Sequence, residues 1–171
     1  PLPASLALPT DVVIDRVAVD RFEWTLGTSH GAIHGLAFGY DGGALAHRVR
    51  DLALAVDRAS IGGEATLAAQ PPYALKGALR LAGDATLRDA QADVAIAGTL
   101  AAVALDGRGS AGEARFTLQA RLSPLAAVVL DELALDAQDV DLARWNDAFP
   151  ATRLAVKADT RPASGGLAGR I

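Results

Sequence analysis

Apolar and polar residues alternate one for one along most of this chain, and few folds accommodate that pattern. In "EARFTLQARL" (113–122), Phe116, Leu118, Ala120 and Leu122 fall on one side and Arg115, Thr117, Gln119 and Arg121 on the other. "YALKGALRL" (73–81) sets Tyr73, Leu75, Gly77, Leu79 and Leu81 against Lys76 and Arg80. "RDLALAV" (50–56) repeats the rhythm with Leu52, Leu54 and Val56, "FEWTL" (22–26) with Phe22, Trp24 and Leu26, and "TRLAVKA" (152–158) with Leu154 and Val156. A period of two belongs to an extended strand with one apolar face, whereas a helix returns to the same face every 3.6 residues. Turn signals separate the runs: "GTSHG" (27–31), "DGG" (41–43), "IGGE" (61–64), "QPP" (70–72), "AGD" (82–84), "DGRGSAG" (106–112), "LSP" (122–124) and "PASGG" (162–166). Their recurrence predicts an all-β chain of about eleven strands. One stretch departs from the rule. In "DVDLARWNDAFP" (139–150), Asp139 or Asp141 is placed to cap one or two helical turns that Pro150 ends, so one short helix is expected near residues 140–148.

A literal G-x-G-x-x-G lies in "LDGRGSAGEARF" (105–116), at Gly107, Gly109 and Gly112, with Asp131 downstream where a ribose partner would stand. A dinucleotide site needs the last glycine to open a helix whose N-terminus faces the pyrophosphate. Here Gly112 opens a run of period two, so the glycines are read as a hairpin connection.

Composition narrows the remaining chemistry. Hydrophobic residues make up 51% of the chain but aromatics only 5%, so Ala, Val and Leu supply most of the apolar content. The net charge of −4, with bases scattered singly between acids, argues against a nucleic-acid partner, which needs a concentrated basic patch. The absence of cysteine excludes disulfides and thiolate chemistry. With no methionine anywhere, residues 1–171 are expected to be a single internal segment of a longer protein. "PLPASLALPT" has no basic leader and is broken by prolines, unlike a signal peptide. The charge-free run from Val94 to Leu105 is too short for a spanning helix, so any membrane anchor is expected outside this segment.

No catalytic constellation and no metal site emerge. His30, His34 and His47 lack a carboxylate in ligand spacing and are read as exposed strand or loop histidines. "DAQDVD" (136–141) gathers three acids but lacks the glycine and distal glutamate of a calcium loop, which favours helix capping. Asp131 and Glu132 are neighbours in a strand and point to opposite faces. No enzyme and no cofactor are expected. The apolar stripe itself remains, and periodicity alone fits two architectures: an ordinary sandwich with a filled core, or a sheet curled on itself with its inner face open to a greasy ligand.

"LPTDVVIDRVAVDRFEW", "YALKGALRLAGDATL" and above all "LDELALDAQDVDLARWNDAFPATRLAVKADTRPASGGLAGRI" resemble the TamB (translocation and assembly module) family of the AsmA-like superfamily. In that family, "LARWN…FP-x-T-x-L" segments punctuate strand repeats much as residues 142–154 do here. The resemblance implies an elongated, curled β-sheet, taco-like with an open groove, in the periplasm of a Gram-negative bacterium and held by an inner-membrane anchor outside this segment. It implies phospholipid transport between the inner and outer membranes, outer-membrane biogenesis and protein assembly or secretion beside a BamA-like barrel (TamA) that other parts of the protein would contact. On that reading the groove lining comprises Leu52, Leu54, Val56, Leu75, Leu79, Leu81, Val94, Ile96, Phe116, Leu118, Leu122, Leu133 and Leu135. Acyl chains would contact these residues while the charged ones face water. The alternative is a structural or interaction module that scaffolds assembly or secretion by strand addition and carries no lipid.

Overall fold

The structure, a computed structural model, describes residues 3–26, 29–56, 58–87, 89–126, 128–141, 152–163 and 166–170. Eleven strands follow one another as β1 (Val12–Leu26), β2 (Ser29–Gly42), β3 (Ala46–Val56), β4 (Ala59–Ala68), β5 (Ala74–Gly83), β6 (Gln91–Thr99), β7 (Ala102–Ala111), β8 (Ala114–Leu122), β9 (Leu130–Val140), β10 (Leu154–Ala163) and β11 (Gly166–Arg170). They form one antiparallel sheet in which spatial order equals sequence order, with β1 and β11 at its edges, so the sheet is not closed into a barrel. Among the described residues the only helical element is a single 3-10 turn, Ala85–Leu87. Of the short helix expected over 140–148, residues 142–148 lie outside the described residues, and Val140 is the last residue of β9.

The molecule is a single curled layer. Its accessible surface is 11581 Å² for 17.5 kDa, against about 7,900 Å² for a compact monomer of that mass. A filled sandwich would hide most of its large aliphatic side chains, yet among the described residues the only buried apolar ones are Ala69, Tyr73, Val103 and Ala120. Alanine, being of constant size, reports how the two faces differ. On the outer face Ala53, Ala74, Ala78, Ala95 and Ala97 are exposed, and Ala55, Ala82, Ala104 and Ala134 are half-covered. On the inner face Ala65, Ala92, Ala137 and Ala158 are half-buried and Ala120 is buried.

Glycine placement accounts for the direction of the curl. Gly63, Gly77, Gly98, Gly107 and Gly109 share cross-strand rows with the inner-face leucines. Missing side chains on one face shorten that face and let neighbouring side chains lean in. A Cβ at Gly109 would collide with the Phe116 ring and the Gln91 carbonyl. This corrects the turn reading of two segments. "IGGE" (61–64) lies inside β4, and of the "DGRGSAG" glycines only Gly112, at φ +63°, sits in the β7–β8 turn. Bulges add local bend: β1 slips against β2 between Ile14 and Val17, and β3 against β4 between Val49 and Leu52, where Asp51 has φ +53°.

Residues 3–10 form a strap along one end of the strands. Leu6 N donates to Ala69 O at 2.8 Å and Leu8 N to Gly43 O at 3.1 Å, while the Tyr73 hydroxyl donates to Pro3 O. His47, expected to be exposed, is half-buried, with Nε2 2.9 Å from Leu6 O and Nδ1 2.7 Å from the Tyr40 hydroxyl. A carbonyl only accepts, so Nε2 carries the proton toward Leu6.

Candidate functional site

Register carries the alternation from strand to strand. The row Leu52–Gly63–Leu79–Val94–Gly107–Leu118–Leu135–Ala158 crosses β3 to β10 through successive paired residues. The next row runs Leu54–Ile61–Leu81–Ala92–Gly109–Phe116–Ala137–Val156. On the other side lie Val49–Ala65–Gly77–Ile96–Leu105–Ala120–Leu133–Thr160 and, ending at β9, His47–Leu67–Leu75–Gly98–Val103–Leu122–Leu130. Paired residues share a face, so these rows make one surface. It carries no acid, lysine or arginine. Eight strands and four rows give an area of about 34 by 20 Å, larger than the apolar patch of a typical monomer.

All thirteen residues singled out from the sequence stand on this face and all are half-buried: Leu52, Leu54 and Val56 on β3; Leu75, Leu79 and Leu81 on β5; Val94 and Ile96 on β6; Phe116, Leu118 and Leu122 on β8; Leu133 and Leu135 on β9. Ile61, Leu67, Val103, Leu105 and Leu130 belong to the same face and escaped the sequence reading, and Val156, read as apolar in its strand, joins them. Ile61 was hidden by the adjacent Gly62 and Gly63, and Leu105 by the glycine-rich run that begins two residues on, both of which mimic turns. Polar groups are scarce here and sit at the margins: His47 and Tyr40 bond to each other, and the Thr160 hydroxyl is buried without a partner.

The outer face is built for water. Lys76, Arg80, Arg115, Thr117 and Arg121 are exposed. Ion pairs bridge adjacent strands: Arg80 to Asp93 at 3.3 Å, Arg121 to Glu132 at 3.5 Å and Lys157 to Asp136 at 3.1 Å. Exposed pairs of this kind add little stability but penalise a slipped register. Arg50 sits among Asp41 at 3.0 Å, Asp15 at 3.6 Å and Asp51 at 3.9 Å, and the Asp41 hydrogen bond and charge push its pKa up. The acids of "DAQDVD" serve the fold. Asp136 pairs with Lys157 and Asp139 with Arg153, and Asp139 lies in β9 at φ +55° rather than capping a helix.

Among the described residues no three His, Cys, Asp or Glu side chains cluster to hold a metal. His34 is exposed on β2, and the His30 side chain lies outside the described residues. Small hollows on the outer face open between long side chains, such as that bounded by Gln119, Arg121 and Glu132. No helix among the described residues is long and apolar enough to cross a membrane. No protein-family model, curated protein or solved structure matches the chain.

Proposed function

We propose that the chain is a periplasmic segment of a TamB-like protein whose inner face carries phospholipid acyl chains between the inner and outer membranes. The observation that supports it is the uncharged face continuing across eight strands. The sheet's backbone groups are used in its own ladders, so a peptide laid on this face would bury its amides and carbonyls without partners. A hydrocarbon chain has no such groups to satisfy. Each methylene removed from water contributes about 0.8 kcal/mol, enough to hold an acyl chain with weak specificity and no polar anchor. No bond is made or broken in this reading, and transfer follows from continuity of the surface. Outer-membrane biogenesis and contact with a barrel partner would then depend on the rest of the protein.

An interaction module would instead recruit partners by strand addition at β1. That edge carries a bulge after Ile14 and exposed Asp15, Arg16, Asp20, Arg21 and Glu23, devices that discourage edge pairing. The two readings separate by photo-crosslinking in cells. A benzophenone residue replacing Leu79 is expected to capture lipid, and one replacing exposed Ala78, its neighbour on the outer face, is not. Equal capture at both positions, or none at Leu79, would remove the support for lipid carriage.

A further inference from the structure

The two rims of the curled sheet differ in charge. At the rim holding Leu75 and Leu122, the described turn residues of 43–45, 69–73, 100–101 and 123–129 include no charged side chain. At the opposite rim, the turns carry Arg58, Asp84, Asp89, Glu113 and Asp141. The uncharged rim is itself divided. Along β2 to β5 the strap crosses it, fastened to Gly43 and Ala69 by backbone hydrogen bonds and to Tyr73 through Pro3, and Leu45 in the β2–β3 turn stands outside it, 84% exposed. Leu6 and Leu8 are half-buried there while Ala7 and Pro9 are exposed, so the strap turns its leucines toward the sheet. His47, an inner-face residue, holds the Leu6 carbonyl, which places the strap over the mouth of the trough rather than behind it.

Among the described residues the strap's hydrogen bonds end at Tyr73, and between β6 and β9 Val103 is buried at the rim while Leu122 is half-buried. The β8–β9 loop there exposes Leu125 (58%), Val128 (52%) and Val129 (49%). Exposed aliphatic side chains in a loop that carries no charge of its own, beside an uncharged face, offer a hydrocarbon a second apolar surface, and the one carboxylate at the base of the loop, Asp131, accepts a hydrogen bond from the Ser123 hydroxyl. We propose that the strap closes the trough over β2–β5, and that acyl chains enter through the rim between β6 and β9, framed by Leu125, Val128 and Val129. This assignment rests on the acyl-chain reading of the inner face and adds the place and direction of entry. The mouth is about 14 Å across, three strand spacings.

The test uses the full 171-residue chain with dioleoylphosphatidylcholine vesicles containing pyrene-labelled phosphatidylcholine, following both the rate of lipid uptake and the final load. Val128→Asp with Val129→Asp places two carboxylates in the mouth, and uptake is expected to slow about tenfold at an unchanged final load. Leu6→Asp with Leu8→Asp is expected to unseat the strap, seen as rapid hydrogen exchange at the Leu8 amide, and to speed uptake. Because the chain has no cysteine, a fluorophore on Val128→Cys is also expected to shift to the blue during loading while one on Arg58→Cys does not. Uptake at the wild-type rate by the Val128 and Val129 variant, or slower uptake after strap release, overturns the entry site alone. A wild-type chain that takes up no lipid overturns the acyl-chain reading and the entry site with it.

Discussion

Replacing Leu118 with arginine separates an open trough from a covered one. Leu118 stands in the middle of β8, half-buried, between Gly107 and Leu135 in its row. A Cβ at Gly107 would meet Leu118 Cβ at 3.4 Å and Val94 Cγ2 at 3.5 Å, so the glycine leaves a gap beside the leucine. In an open trough a guanidinium at 118 swings through that gap to water. The cost is then the partial burial that leucine supplied, about 1 kcal/mol of the 1.5–3 for a fully buried side chain, or a fall in Tm of about 2–4 °C. Under a second layer the charge would be trapped at several kcal/mol, a large share of the stability of a domain of this size. Thr117→Arg is the control: its outer-face position lies between Arg108 and Asp136, one like and one opposite charge, and is expected to stay within about 0.5 kcal/mol of wild type. Thermal melts of the chain measure the first quantity, and on the proposed lipid-carrying reading outer-membrane integrity in cells carrying the variant would report passage. A Leu118→Arg chain that melts more than about 10 °C early, several times the shift expected for an open face, refutes the open face. One that folds with normal passage refutes the path.

Gly109→Ala forces a methyl group against the Gln91 carbonyl and the Phe116 ring; overpacking of this kind is expected to cost about 1–3 kcal/mol, read as a lower Tm, and an unchanged Tm would show that the glycine is not placing the ring. Lys157→Glu sets a like charge against Asp136, its partner at 3.1 Å, and is expected to cost about 0.5–1 kcal/mol; Asp136→Lys in the same chain should restore the loss, and a double variant no better than the single one would deny that the pair sets register.

Strand faces were legible wherever leucine, valine or phenylalanine filled most of the alternate positions, as in β3, β5 and β8, even with a lone Gly77 or Ala120 among them. The reading failed where glycines came close together, as pairs that look like a turn. At Gly62 and Gly63, and again at Gly107 and Gly109, the residues that place side chains close together inside a strand are the same residues that mark turns. Local pattern cannot distinguish the two uses, because the difference lies in the partner strand: Leu79 beside Gly63, Phe116 beside Gly109. His47 was misread for a related reason. Its partner is the Leu6 carbonyl, 41 residues away, and nothing near residue 47 announces it. Phe22 shows the opposite limit, since it alternates correctly with its neighbours yet is 53% exposed on the edge strand.

A single layer of this kind cannot draw its stability from a buried core, because among the described residues Ala69, Tyr73, Val103 and Ala120 are the buried apolar side chains. What remains is the ladder of backbone hydrogen bonds, the half-shielding of each inner side chain by its row neighbours, and the charge pairs that fix register outside. Those contributions do not ask the inner face to be covered. A sandwich must match two faces in shape before either is stable, whereas this sheet needs only the neighbouring strand. Leucine, valine and alanine suit that arrangement better than aromatics, whose size would fill the concavity that the inner glycines create. The low aromatic content, 5%, and the inward glycines therefore express one physical requirement: an apolar surface that holds its shape while part of it stays open.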